Sequence, residues 1–170
     1  MKVRMTFVLF LVVFAGVAMA QNNPLKGLDP FIGKFQCKGI AFASPMGPEH
    51  ATAATVNTQW ILGGQWAAFT YAEKKTTVNP KPFTTTGFFG WDAEKKKYVS
   101  GGVDNMAGYG TSESDGWTGD TLVFVGPFHT PGGTMNFRDT FTKKNGKVDS
   151  HLGEIEMNGT WTKVSQETCK

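Results

Sequence analysis

Residues 134–156 read TMNFRDTFTKKNGKVDSHLGEIE, and this stretch indicates the fold of the whole chain. Apolar and polar side chains alternate through its first half, which is typical of a half-buried β-strand. Asn145-Gly146 stands in the middle, and this dipeptide favours the two-residue type I′ turn, which needs positive φ. We therefore expect strands over 134–143 and 147–156 that pair as an antiparallel hairpin.

Similar segments recur along the rest of the chain at spacings of about ten to twelve residues. Asp115-Gly116 and Asn158-Gly159 add two further turn signals, and no segment shows a convincing amphipathic helix. A long meander with one apolar face loses its exposed edges when it closes. We predict one all-β domain, a closed or nearly closed antiparallel meander barrel of about ten strands. The other expected strands are 35–43, 52–61, 65–73, 83–91, 97–104, 107–114, 117–125 and 160–165.

The first twenty residues have a different character. Two basic residues precede the apolar run from Phe7 to Val17, and Ala18-Met19-Ala20 supplies the small residues that a signal peptidase recognises. The run is too short to span a membrane. We predict export, with cleavage near Ala20-Gln21 and a periplasmic or extracellular mature protein. The chain then divides into a signal peptide over 1–20, a leader over 21–27 and one domain over 28–170.

The composition after the signal peptide favours β-structure and excludes one class of partner. Residues 21–170 contain 20 glycines and 19 aromatic residues but only 5 leucines. Aromatic residues suit a pleated surface, and glycines suit turns and bulges. Without the two basic residues of the signal peptide, the net charge falls from +3 to +1. Nucleic-acid binding normally needs a basic stripe, so we expect no nucleic-acid partner.

Cys37 and Cys169 are the only two cysteines. In an oxidising compartment two such residues commonly pair, and we predict a Cys37–Cys169 disulfide. The bridge would tie the C-terminus to the first strand and stabilise the fold by roughly 5 kcal/mol. Two free thiols or an intermolecular bridge are the alternatives.

Residues 87–108, GFFGWDAEKKKYVSGGVDNMAG, carry a family resemblance. The GWD, Tyr98 and VDNM elements within them are similar to the core block of an uncharacterised, lipocalin-like family, domain of unknown function number 1579. Residues 32–35 resemble the start of that family's first strand, with Phe35 for the usual tryptophan, and residues 62–65 resemble its mid-chain turn, with Gln65 for arginine. The resemblance covers residues 28–165.

The resemblance implies a calycin-type barrel and no particular reaction. The sequence departs from the family pattern at Gly102, which stands where the family usually has a tryptophan. A missing indole would enlarge a barrel cavity, unless another aromatic side chain fills the space.

Barrels of eight to ten strands can hold one small ligand, in a cavity that is mostly apolar with a few placed polar groups. Packing that leaves no cavity is the alternative for each aromatic residue. Asp104 could equally cap the amides of the turn near Asn105. Arg138, the only arginine outside the signal peptide, could pair with Asp139 or Glu154 on the outer face, which the strand alternation favours. With those alternatives open, we predict ligand contacts from Trp66, Phe69, Trp91, Tyr98, Asp104, Phe137 and Arg138.

The remaining polar residues give no motif for catalysis or metal binding. His50, His129 and His151 are scattered, with the first two expected in loops, and their spacing fits no zinc site. No nucleophile motif is present, and Glu154 and Glu156 are expected on a solvated strand face. We predict no metal and no cofactor.

We therefore predict an exported, non-catalytic protein that holds a small apolar or amphipathic ligand in its barrel. One alternative is an enzyme that uses Asp104 as an acid or base near His129. The other is a surface interaction module with a solid core.

Overall fold

The computed structural model describes residues 23–170; the expected signal peptide and the first residues of the leader lie outside them. A 3₁₀ helix, Pro24–Phe31, precedes eleven strands. The strands are β1 Gly33–Ala41, β2 His50–Ile61, β3 Trp66–Glu73, β4 Thr84–Asp92, β5 Lys97–Asp104, β6 Tyr109–Ser114, β7 Trp117–Thr118, β8 Thr121–Thr130, β9 Gly133–Lys144, β10 Lys147–Met157 and β11 Thr160–Cys169. A second 3₁₀ turn, Leu62–Gly64, joins β2 to β3. Within residues 23–170 no helix has the length and hydropathy to cross a bilayer.

The strands form one closed antiparallel barrel. Their order is β6-β5-β4-β3-β2-β1-β11-β10-β9-β8, and β6 pairs with β8 to close the circle. The two-residue strand β7 only folds back on β8, so ten strands make the wall. The predicted all-β barrel is confirmed.

Two of the three hairpin signals form the expected turns. Asn145 and Gly146 have φ of 53° and 74°, and Asn158 and Gly159 have 50° and 75°, as type I′ turns require. The prediction at Asp115-Gly116 is wrong, because only the glycine has positive φ there. After β6 the chain instead forms β7, turns at residues 119–120 and then enters β8.

The prediction of a loop around His129 is also wrong. Strand β8 continues to Thr130, and His129 pairs with Tyr109 of β6. These additional residues give β8 the length it needs to pair with both β6 and β9.

The 3₁₀ helix closes one end of the barrel. Its start is favoured by Pro24 at the first helical position and by the Asn23 side chain, which accepts a hydrogen bond from the Leu25 amide at 3.0 Å. Leu28 and Phe31 are buried and pack into the core, together with buried side chains from β3, β4, β5 and β8. Tyr98 Oη donates to the Pro24 carbonyl and Trp117 Nε1 to the Gly27 carbonyl, both at 2.7 Å, which anchors the helix.

The first and last strands lie side by side. Residues 37–41 of β1 pair with residues 165–169 of β11, and Cys37 stands directly opposite Cys169. The two cysteines form a disulfide, as predicted. At the end of the barrel away from the 3₁₀ helix, called the far end below, lie the β1–β2 and β3–β4 loops and the shorter β5–β6, β8–β9 and β10–β11 turns.

Candidate functional site

The strand register shows which side chains point into the barrel. On β3 these are Ala67, Phe69, Tyr71 and Glu73, because they alternate with exposed neighbours and pair with inward residues of β2. From Phe69 to Glu73 the inward face changes from aromatic to acidic. The interior is therefore apolar near the 3₁₀ helix and polar toward the far end.

A buried glutamate stands at the centre of the polar half. Glu167 of β11 is 4% exposed, and its Oε1 accepts hydrogen bonds from Thr52 Oγ1 at 2.6 Å and from Tyr71 Oη at 2.9 Å. Burial, the charge and hydrogen bond of Glu167, and the charge of Glu73 all raise the pKa of Tyr71. The phenol therefore stays protonated and acts as a donor to the carboxylate.

A histidine–aspartate pair lies beside this glutamate. His151 of β10 is opposite Glu167 in the register, and its Nε2 is 2.6 Å from Asp139 Oδ1 on β9. Its ring stacks on Phe141 at 4.9 Å. Burial lowers the pKa of His151. The hydrogen bond and charge of Asp139, together with the charge of Glu167, raise it by more than burial lowers it, so the pKa lies above its ordinary value. We call Thr52, Tyr71, Asp139, His151 and Glu167 the interior polar site.

Three polar atoms of this site have no hydrogen-bond partner among the described residues: Glu167 Oε2, Asp139 Oδ2 and His151 Nδ1. Every fully inaccessible side-chain nitrogen or oxygen in residues 23–170 does have a partner, so these three atoms touch open space. The side chains of His151 and Asp139 are 21% and 30% accessible although they point into the barrel. The interior therefore has room next to unpaired polar atoms.

A second polar cluster lies closer to the far end. Glu73 Oε1 contacts His50 Nε2 at 3.0 Å, and its Oε2 accepts from Asn79 Nδ2 at 2.7 Å and from the Phe83 amide at 3.0 Å. Both oxygens of this glutamate have partners. The cluster fastens the β3–β4 loop onto the end of β3.

Glycines form part of the opposite wall. Gly87, Gly102 and Gly110 lie next to one another on β4, β5 and β6 and share the inward face. In the circle of ten strands, β4 lies five places from β10 and β5 lies five places from β11, which is half the circumference. The glycines therefore stand opposite the strands that carry His151 and Glu167. A Cβ added at Gly102 would first meet backbone and Thr85 atoms, with no aromatic atom among its three nearest neighbours. A Cβ at Gly87 would meet the Phe69 ring at 2.7 Å and one at Gly110 would meet the Phe128 ring at 3.0 Å, so these two rings cover the wall on either side of Gly102.

Four of the predicted aromatic ligand contacts point into the barrel. Trp91 and Tyr98 pack edge to face, with ring centroids 5.0 Å apart, at the closed end under the 3₁₀ helix. Phe69 stacks on Phe89 at 4.9 Å in the middle, and Phe137 lies 5.8 Å from Phe128 toward the far end. Phe69 and Phe137 are the two that border the polar half.

Asp104 points inward but acts as a turn cap. Its Oδ1 accepts hydrogen bonds from the Met106 amide at 2.7 Å and the Gly108 amide at 2.8 Å. His129 instead stacks on Tyr109 at 4.6 Å and contacts Thr134 Oγ1 at 2.8 Å. No hydrogen bond joins Asp104 to His129, which removes the geometry expected for the enzyme alternative.

Trp66 and Arg138 lie outside the barrel, so neither lines the interior as expected. The Trp66 ring packs edge to face on Phe88, with centroids 5.2 Å apart, and fills the space over Gly90. Arg138 Nε and Nη2 lie 2.8 and 2.7 Å from Glu154 Oε2, and the guanidinium stacks 4.4 Å from the Trp161 ring centroid. The strand alternation at Arg138 had favoured this outer position.

Sequence reasoning missed His151 and Glu167 for two different reasons. If the register set by the Asn145-Gly146 turn continued without interruption, Ser150 would pair with Phe141. A bulge between Val148 and Ser150 shifts the register by one residue, so His151 pairs with Phe141 instead and shares its inward face. Glu167 lies beyond the predicted end of the last strand. Its parity with Cys169 could have revealed it, since a pair with the inward Cys37 requires both to face inside.

Within residues 23–170 no group of three or more histidine, cysteine or acidic side chains is arranged to hold a metal ion. The arrangement suits hydrogen bonding and charge recognition of an organic molecule. It places two carboxylates, one imidazole and aromatic rings around one space.

Residues 22–170 match the family described as protein of unknown function (DUF1579). The chain belongs to this family. The resemblance seen in the sequence is thereby confirmed, and the family's description names no activity. No protein with a curated description matches the chain significantly.

A solved structure supports the same fold for this DUF1579 member. The crystal structure of Rv2717c from M. tuberculosis superposes with a TM-score of 0.60 at 12% sequence identity, covering 86% of this chain and 96% of that one. At this identity the similarity shows the barrel fold alone.

Proposed function

We propose that this DUF1579 protein is exported and binds a small amphipathic ligand inside its barrel, without catalysing a reaction. The apolar part of the ligand would contact Phe69 and Phe137. Its polar part would bind the interior polar site. A ligand site with mostly apolar walls and a few convergent polar groups is the usual form of a small-molecule pocket.

The observation that carries the proposal is the set of unpaired polar atoms within the barrel. Glu167 Oε2, Asp139 Oδ2 and His151 Nδ1 border open space and have no partner among the described residues. A deep polar atom normally has a hydrogen-bond partner, from the protein, from water or from a ligand. The side chains of His151 and Asp139 remain 21% and 30% accessible although they point into the barrel.

Native mass spectrometry of the protein purified from its own source tests the proposal. We expect a non-covalent adduct whose mass disappears under denaturing conditions. Gly102→Trp would place the usual family residue on this wall, which must shift because the new Cβ comes 2.9 Å from the Thr86 carbonyl oxygen. Circular dichroism checks that the variant folds, and the folded variant should carry no adduct. Val103→Trp places the same indole one residue away on the outer face, where Val103 is 54% exposed, and should retain the adduct. Native protein that carries no adduct, together with a high-resolution structure showing no interior volume larger than about one water, would refute the proposal.

Export has a separate test. Cleavage after Ala20 would remove residues 1–20, so intact-mass analysis should give the mass of a protein that begins at Gln21. A mass that includes residues 1–20 would contradict export through this signal.

The surface-interaction alternative has one observation in its favour. The outer faces of β4, β5, β6 and β8 expose apolar side chains, namely Phe88, Val103, Tyr109 and Val125, each between 37% and 55% accessible. Large exposed apolar patches mark interaction surfaces. Multi-angle light scattering of wild type and of a Tyr109→Lys/Val125→Lys variant would reveal self-association through this face as a fall in mass in the variant.

A further inference from the structure

We infer that the ligand carries a positive charge, as an organic amine or similar cation, and that its charged group binds between Glu167 and Asp139. This inference rests on the proposed function and names the chemical class of its ligand.

The charges that face the polar half are predominantly negative. Glu73 on β3, Asp104 on β5, Asp139 on β9 and Glu167 on β11 supply four carboxyl groups. The histidines facing the same space are His50 on β2 and His151 on β10. None of the described inward positions in this half is a lysine or an arginine. The inward lysine Lys143 lies at the closed end, over the Trp117 ring.

Glu167 is the carboxylate with the least compensation. It is 4% exposed, and its hydrogen bonds come from the neutral hydroxyls of Thr52 and Tyr71. No hydrogen bond from a described residue reaches its Oε2, and this oxygen is not fully inaccessible. Burial of an ionised carboxylate without a cation is costly, and a bound cation would remove that cost. This buried, half-satisfied carboxylate is the feature that points to a charged ligand.

Two neighbouring groups report a negative field at the same place. The pKa of Tyr71 is raised by burial and by the charges of Glu167 and Glu73. The pKa of His151 is raised despite its burial, through Asp139 and Glu167. Both directions are those expected where a cation is favoured and an anion disfavoured.

Aromatic surfaces complete the environment for an organic cation. The Tyr71 and Phe83 rings lie 6.1 Å apart next to the carboxylates, and Phe69 lies deeper on the same strand as Tyr71. Ring faces attract cations, most strongly in desolvated sites. A divalent metal is a poorer candidate, because no three ligating side chains of the described residues converge.

A matched set of three probes tests the charge preference: 2-phenylethylamine, 2-phenylethanol and 3-phenylpropionate, which are positive, neutral and negative at pH 7.5. Isothermal titration calorimetry on the full-length mature protein measures each dissociation constant. We expect the amine to bind at least about tenfold more tightly than the alcohol, and the acid to bind most weakly.

Charge-neutral variants locate the effect. Glu167→Gln should weaken amine binding about tenfold more than it weakens alcohol binding. Glu156→Gln is the matched control, because Glu156 lies on the outer face with Asn136 and should change neither affinity. Asp139→Asn provides a second test if Glu167→Gln does not fold. Amine affinity should also fall from pH 8 to pH 5.5, as His151 gains a proton and competes for the carboxylates.

The possible outcomes separate this inference from the proposed function. Equal or tighter binding of the alcohol or the acid to wild type overturns the cation inference. So does a failure of the amine to bind at millimolar concentration. A neutral or anionic molecule found by native mass spectrometry would also overturn it, while confirming that the barrel binds ligands.

Discussion

Removal of the Cys37–Cys169 disulfide should be the most destabilising change in the barrel wall. The two residues are 132 positions apart, so the bridge closes a loop that spans most of the chain. The chain-entropy relation for a loop of this length gives about 5 kcal/mol at 25 °C. A domain of this size is typically stable by about 5–15 kcal/mol, so the loss is a large fraction of the total.

The position of the bridge sharpens this expectation. It joins β1 to β11, whose ladder has five residue pairs against nine between β1 and β2. Backbone hydrogen bonds of Gln36 with Lys170 and of Phe42 with Val164 extend the β1–β11 ladder by one residue pair at each end. Without the bridge the β1–β11 pairing has to hold the two ends of the chain together by itself. We expect the backbone amides of these two strands to lose the most protection against hydrogen exchange.

The assay is urea unfolding of wild type and of a Cys37→Ala/Cys169→Ala variant, followed by tryptophan fluorescence. We expect a loss of about 3–5 kcal/mol and a fall in Tm of roughly 6–20 °C. Wild type measured with and without reductant is the control, since reduction should reproduce the variant. Hydrogen exchange should accelerate in residues 37–41 and 165–169 before it does so in β4 and β5.

A change smaller than about 1 kcal/mol would refute the reasoning, because loop closure would then contribute little to this barrel. Uniform acceleration of exchange across all strands would refute the second part. The β1–β11 pairing would then not be the weak point.

Three further predictions concern the closed end, the interior and the outer wall. Leu28→Ala removes a fully buried side chain from the 3₁₀ helix and should cost about 2–5 kcal/mol in urea unfolding, whereas Val103→Ala on the outer face should stay within about 0.5 kcal/mol. The raised pKa of His151 makes its contribution to stability complete below its unfolded pKa and lost as the pH rises through the folded pKa. Unfolding free energies from pH 5.5 to 8.5 should therefore fall less steeply in His151→Asn than in wild type, and identical slopes would contradict the assignment. Arg138→Ala leaves the buried Glu154 without its cation and should cost about 1–3 kcal/mol, with Arg138→Lys intermediate. Equal stability of all three proteins would show that the pair contributes nothing.

The barrel could be predicted from sequence because its determinants are local. Alternation over 134–143 and the Asn-Gly turns at 145–146 and 158–159 act within a few residues, and the structure has these strands and turns. The Asp115-Gly116 error has a tertiary cause. Strand β6 pairs with the distant half of β8, so the connection had to be longer than a two-residue turn.

The interior site was less accessible to sequence reasoning. Parity placed Phe137 and Arg138 on opposite faces of one strand and favoured the outward position of Arg138, since a continuous strand preserves it. A single bulged residue reverses the parity beyond it, and this moved His151 to the inside. The partnership of Tyr71 with Glu167 joins residues 96 positions apart, which no local pattern can indicate.

The contact between the first and last strands also sets an order of events during synthesis. A chain that emerges from its N-terminus has made β1 long before residues 165–169 exist, so β1 keeps an unpaired edge until nearly the whole chain is complete. Partial chains therefore expose strand edges that can pair with other chains. The last few residues are consequently needed for folding, and a truncation before Ser165 should give an aggregating chain rather than a smaller barrel.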